Sequence, residues 1–160
     1  MPSRNPRPEV LLFDVNETLL DTAPLKQRVG DLLQDPSAGT LWFTTMLQYS
    51  LVLTVSGQYK PFPEIGGAVL QMLARNSDLS LSHDDAMALM AGMKSLAPHR
   101  DVEPALDRLR QAGVRMATLT NSSLAGVCDP LSWLARGSRN CRWRPRLTWT
   151  SRNSGPWPMR

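Results

Sequence analysis

The sequence predicts an α/β protein: an incomplete doubly wound core interrupted by an inserted helical module. Three observations carry that prediction. The apolar run Val10-Leu11-Leu12-Phe13 stops abruptly at Asp14, as a buried parallel strand does where it reaches the ligand-binding edge of a sheet. Far downstream, an amphipathic helix, a glycine turn and a second apolar run lead into Thr120-Asn121-Ser122-Ser123. Helix, tight turn, strand and polar tip is the repeating unit of a doubly wound domain. Between these two units, residues 24–97 show helical periodicity and little strand signal. The predicted division is therefore 1–23 and 98–126 as the core, 24–97 as a helical cap, and 127–160 as an irregular tail.

Each element follows from local pattern. Residues 1–9 hold three prolines and two arginines and read as a loose lead-in. The strand 10–13 feeds a polar turn over 14–21. By spacing alone, Asp14 is either a reacting carboxylate at a strand end or the cap of a turn. Thr18 either turns its hydroxyl back toward Asp14 or serves the turn itself. A short helix is predicted over 25–33, ended by Asp35-Pro36. From 40 to 55 the apolar residues Leu41, Trp42, Phe43, Met46, Leu47, Tyr49, Leu51, Val52, Leu53 and Val55 surround the helix on nearly all sides, so it is expected to be buried on more than one face. Gly57 ends it, and Pro61 and Pro63 open the next helix, whose stripe is Ile65, Ala68, Val69, Met72 and Leu73. A fourth helix carries Ala86, Leu89, Met90, Met93 and Ala97 behind Ser82, a cap followed by acidic residues. The methionines read as core and His83 as an exposed residue of the cap. Asp101 is the predicted N-cap of the next helix, with Val102, Leu106, Leu109 and Ala112 on one face and Gly113 closing it. Residues 114–119 then read as a buried strand, so two polar strand ends, Asp14 and Thr120-Asn121, are expected at one edge.

Composition narrows the class. Among 160 residues, 42% are hydrophobic and 20% charged, which is ordinary for a globular chain. No apolar stretch reaches the roughly 20 residues of a spanning helix, and no signal-peptide run precedes the first strand. Cys128 and Cys141 lack metal-like spacing and are expected as reduced thiols. A cytoplasmic location follows by exclusion. Charge is uneven: residues 1–120 hold 11 basic against 13 acidic residues, whereas residues 121–160 hold seven arginines against Asp129 alone. That tail also carries Trp133, Trp143, Trp149 and Trp157, but no fold motif accompanies it, and nucleic acid is not an expected partner.

The stretch FDVNETLLD, residues 13–21, resembles the first motif of the haloacid dehalogenase superfamily, in the form carried by its L-2-haloacid dehalogenase branch. Met116-Ala117-Thr118-Leu119-Thr120-Asn121-Ser122 is similar to the second motif, an apolar strand ending in Ser or Thr. Leu41-Trp42, Leu47, Tyr49, Tyr59 and Phe62 fall at spacings similar to those of the dehalogenase lid. The resemblance runs from residue 10 to about 126.

That resemblance implies a hydrolase acting on a small 2-haloacid. Asp14 is then the nucleophile that displaces halide at C2, and water hydrolyses the resulting aspartyl ester. Thr18 holds the Asp14 carboxylate and Thr120 the substrate carboxylate. Val15, Asn16, Trp42, Leu47, Phe62 and Asn121 are the implied substrate-binding positions, with no metal and no cofactor. Related phosphatases carry an acid two residues after the nucleophile to protonate an alcohol. Here that residue is Asn16, whose amide is no general acid, and a halide leaves without a proton. A Mg²⁺-dependent phosphatase is the alternative reading, and a non-catalytic fragment a third. The cap helices are the expected homodimer surface.

Two departures from the family pattern stand out. The residue after Leu41-Trp42 is Phe43, where the resemblance leads one to expect a halide-binding Arg. No Lys follows Lys94, so a Lys-bearing third motif is missing, and no acidic fourth motif is recognisable. The expectation is that the reading frame leaves the family pattern near 126–129, giving a weakly folded chain with impaired turnover.

Overall fold

A computed structural model of the chain describes residues 8–120. Its elements run β1 (Val10–Phe13), α1 (Ala23–Leu33), α2 (Ala38–Val55), α3 (Phe62–Asn76), α4 (His83–Ala91), a 3₁₀ turn (Gly92–Ser95), α5 (Val102–Gln111) and β2 (Arg115–Thr118). Among the described residues, 8–21 with 97–120 form one compact unit and 22–96 another.

In the first unit β1 and β2 pair in parallel, Val10 opposite Arg115 and Phe13 opposite Thr118. Parallel pairing demands a crossover, and the crossover here contains the whole helical unit followed by α5. Glu103 in the first turn and Arg108 and Arg110 in the last suit the α5 dipole. Asp101 is the N-cap residue, but its side chain makes no capping hydrogen bond, against expectation. Gly113 closes the helix at φ 72°, a backbone angle that costs glycine little. Val102 and Leu106 of α5 are buried with Leu19, and Phe13, Leu109 and Met116 pack against them.

That cluster covers one face of the sheet. The strand 10–13 was expected to be buried, yet Leu12 is 59% exposed and Val10 38%. Side chains alternate across a strand, so Phe13 meets the cluster while Leu12 points the other way. With two strands among the described residues, nothing described there covers that second face.

The chain leaves this unit at Asp21 and returns at Ala97, and the two connections pair. The Asp21 N–H donates to the Ala97 carbonyl at 2.8 Å and the His99 N–H to the Leu19 carbonyl at 3.1 Å, beside an antiparallel bridge of Leu20 with Pro98.

In the helical unit, α1 packs on α2, α2 on α3 and α3 on α4. Trp42 and Met46 are fully buried with Val29, Leu70 and Met90. The Trp42 indole N–H donates to the Gly66 carbonyl at 2.9 Å, satisfying the ring's one donor in an apolar setting. Gly66 has no room for a side chain: a Cβ there would lie 2.7 Å from Met90 Sδ and 3.3 Å from Trp42 Cζ2. The α1–α2 crossing is tighter still, because a Cβ on Gly39 would fall onto the Lys26 carbonyl. Ser82 caps α4 as expected, accepting from the Asp85 N–H at 3.1 Å.

Helix α2 departs from expectation. It buries one face, through Trp42, Phe43, Met46 and Ser50. Leu51 and Val52 are each 62% exposed and Val55 89%. An all-round apolar helix has more apolar surface than α1 and α3 can cover within this unit.

Candidate active site

The site begins where β1 ends. After Phe13 the chain turns sharply. The Val15 carbonyl accepts from both the Leu19 and Leu20 N–H groups at 2.9 Å, and the Glu17 N–H donates to the Leu20 carbonyl at 3.0 Å. Glu17 sits at φ 67°, a left-handed conformation that is uncommon for a residue with a Cβ. Such conformations persist where surrounding structure holds them, as in turns that present reacting groups. Here the anchors are Val15 and Leu20, whose side chains are fully buried, and Leu19, which is nearly so.

This turn leaves the Asp14 carboxylate exposed at the carboxyl end of the strand. The Thr18 hydroxyl donates to Asp14 Oδ2 across 3.4 Å, a long hydrogen bond that orients more than it stabilises. Beside them β2 runs out at the same edge. The Leu119 N–H donates to the Phe13 carbonyl at 2.8 Å, which carries the ladder one step past the last strand pair. Thr120 thus lies at the same sheet edge as Asp14, and it is 8% exposed. Asp14, Thr18 and Thr120 are brought to one place, at the strand ends where open α/β sheets bind ligands. An exposed carboxylate can attack an electrophile directly, and the neighbouring hydroxyls can donate to anionic oxygens.

The other expected positions divide. Val15 serves the turn through its carbonyl and the core through its side chain. Asn16 is half-buried and bridges to Leu20. In the helical unit Leu47 is 37% exposed and Phe62 is 7% exposed. Trp42 has no exposed surface within the helical unit, and its indole N–H is given to the Gly66 carbonyl. Asn121, Cys128, Cys141 and the Arg- and Trp-containing tail lie outside the described residues. Among the described residues, no group of three or more His, Cys, Asp or Glu converges as a metal site, and no helix is long and apolar enough to cross a membrane.

Two features had escaped the sequence. The left-handed Glu17 left no trace in composition. The Lys26 ammonium lies 4.6 Å from the centroid of the Phe43 ring, a contact between helices that no spacing within either helix reveals.

Comparison with known proteins agrees with this geometry. No family model matches the chain. The chain is 32% identical over 121 residues to an (S)-2-haloacid dehalogenase 2 of Pseudomonas sp. (strain CBS-3), covering 73% of this chain and 52% of that protein. It is 30% identical over 126 residues to haloacetate dehalogenase H-2 of Moraxella sp. (strain B), covering 76% and 55%. Among solved structures, a dehalogenase with an intermediate complex superposes with a TM-score of 0.69 at 27% identity, over 80% of this chain and 58% of that one. The chain spans about half the length of the curated relatives it matches. Over the stretch it shares with them, it belongs to the L-2-haloacid dehalogenase branch of the haloacid dehalogenase superfamily.

Proposed function

We propose that the chain carries the nucleophile half of a hydrolase that cleaves the carbon–halogen bond of a small 2-haloacid. The observation that carries this reading is the Asp14 carboxylate, exposed at a strand end on a strained turn with Thr18 bonded to it and Thr120 at the same edge. Asp14 attacks C2 of the substrate, a carbon–oxygen bond forms as the carbon–halogen bond breaks, and halide leaves with the bonding pair. Water then hydrolyses the aspartyl ester, regenerating Asp14 and releasing a 2-hydroxy acid and a proton. Covalent catalysis splits one difficult displacement into two easier steps. Thr18 keeps Asp14 pointed at the substrate, and Thr120 donates toward the substrate carboxylate.

Asn16 supports this chemistry, since a halide needs no proton on departure whereas an alcohol leaving group does. The reading calls for no cofactor. Turnover by the 160-residue chain is expected to be low, because no Lys follows Lys94 and no acidic fourth motif is recognisable.

The relevant experiment is halide release from L-2-chloropropionate by the chain and by Asp14→Asn, which keeps the shape but removes the nucleophile. Slow release that vanishes in the variant is the expected result. Release unchanged in Asp14→Asn would overturn the reading, and phosphate release dependent on Mg²⁺ would replace it with a phosphatase.

The same reading includes a homodimer through the helical unit. Supporting it is the exposed apolar row Leu51, Val52 and Val55 on α2, next to an open groove of about 330 Å³ lined by Tyr49, Leu53, Ile65, Ala68, Val69 and Met72. Exposed apolar surface of this kind marks interaction sites.

A further inference from the structure

In the helical unit, charges placed where they could pair with each other do not. Arg28 and Asp31 lie one turn apart on α1, a spacing at which opposite charges meet on a helix surface. Neither side chain makes a hydrogen bond or ion pair among the described residues. Arg28 turns instead toward the C-terminal end of α4, where its Nη1 lies 3.1 Å from the place a Gly92 Cβ would occupy. Between α1 and α4 runs an open groove of about 490 Å³, with Arg28, Asp31 and Leu32 on the α1 side and Leu81, Asp85 and Leu89 on the other. All of these residues belong to the helical unit.

We propose that this groove binds a small zwitterion with an apolar side chain, an aliphatic α-amino acid, whose carboxylate meets Arg28 and whose ammonium meets Asp31 and Asp85. The inference stands apart from the chemistry of Asp14.

Three observations support it. First, one cation and two carboxylates line a single groove without pairing across it. A ligand carrying both signs satisfies both sides, whereas a simple anion or cation leaves one side unmatched. The guanidinium presents a planar fork that matches a carboxylate in bidentate fashion, and Gly92 leaves room for it. Second, Asp85 is already oriented. Its Oδ2 accepts from the Ser82 hydroxyl at 2.5 Å, and its N–H donates to Ser82 Oγ at 3.1 Å. Third, the same groove has an apolar lining. Leu89 is 8% exposed and Leu32 40%, and Leu81 is half-buried, so an aliphatic side chain laid there removes apolar surface from water. The volume lies within the range of small-molecule sites. Arg28, Asp31 and Asp85 are all exposed, so water and salt weaken each charged contact, and the expected affinity is of millimolar order.

The test is a titration of the full chain, carrying ¹³C-labelled leucine methyls, with unlabelled L-leucine, N-acetyl-L-leucine and L-leucinamide. Wild type, Arg28→Met and Asp31→Asn are compared, and the signals read are those of Leu32, Leu81 and Leu89. L-leucine should shift them saturably, and each blocked analogue should bind more weakly. Arg28→Met should bind L-leucine about tenfold more weakly, the effect of losing a charge-assisted hydrogen bond, and should bind L-leucinamide as wild type does. Asp31→Asn should weaken L-leucine and L-leucinamide while leaving N-acetyl-L-leucine unchanged. Both substitutions fall on exposed side chains without partners, so circular dichroism should match wild type and separate lost binding from lost fold. Methyl signals that ignore L-leucine, or an Arg28→Met chain that binds it as wild type does, overturn the proposal. N-acetyl-L-leucine binding as tightly as L-leucine overturns it too, since the ammonium would then have no part in recognition.

Discussion

Gly39→Ala sets two effects of opposite sign against each other. Alanine is the better helix former by about 1 kcal/mol, and residue 39 lies inside α2, so propensity alone predicts stabilisation. Packing predicts the reverse. A Cβ at 39 would stand 2.7 Å from the Lys26 carbonyl carbon and 2.9 Å from its Cα, and closer still to the carbonyl oxygen. Carbon atoms in contact rest at about 3.5–4.0 Å, so α1 and α2 must separate by close to 1 Å. The obstructing atoms are backbone and cannot swing aside as a flexible side chain can. Overpacking of this kind costs about 1–3 kcal/mol, occasionally more, and parting the helices also loosens the Leu25, Val29, Trp42 and Phe43 contacts. The net expectation is a loss of about 2 kcal/mol, which for a unit of some 75 residues lowers Tm by about 10 °C. Thermal and urea unfolding followed by far-UV circular dichroism measures it. A variant that melts at or above wild type would show that the close α1–α2 crossing is absent, and the placement of Lys26 over Phe43 would fall with it.

Two further outcomes follow from the same unit. Asp35 accepts from the Ser37 N–H at 2.8 Å and from its hydroxyl at 2.7 Å. The Ser37 hydroxyl, then its N–H, hold the carboxyl below its usual value of 3.8. A depressed carboxyl contributes stability that is complete above the unfolded value and lost as pH falls through the folded one. The acid limb of the stability profile should therefore be shallower in Asp35→Asn than in wild type below about pH 4, and superimposable profiles would refute this. For the proposed homodimer, Leu51→Glu should convert a dimer to a monomer in light scattering without changing the helical signal. A wild-type chain that stays monomeric at high protein concentration would end that proposal.

Much of the architecture was legible in the sequence because it rests on local rules. Strand 10–13 and the helices separated by Pro36, Gly57, Pro61 and Pro63 follow from hydrophobic period and backbone breakers, and Ser82 from capping chemistry. The same local logic placed Asp14 at a strand end and Thr18 four residues on, within reach of it. Local rules failed where burial depends on a neighbour. Leu12 and Leu51 are as apolar as residues that are buried, and only the arrangement of strands and helices around them decides which faces are covered. Trp42 shows the same limit: nothing in its local pattern announces that its N–H meets the Gly66 carbonyl across the α2–α3 contact.

By itself, the sequence determined the order and type of the elements, the carboxylate at the end of β1 and the kinship that FDVNETLLD carries. These are properties of short stretches, set by period, turn chemistry and side-chain type. The tertiary structure alone decided what depends on distant residues meeting. It brought Thr120 to the edge beside Asp14 through the parallel β1–β2 pairing. It held Glu17 in a left-handed turn by burying Val15, Leu19 and Leu20 around it, and it set Lys26 over Phe43 by letting Gly39 admit a second backbone. Contacts between residues far apart in the chain leave no periodic signal, and packing is the physical process that creates them.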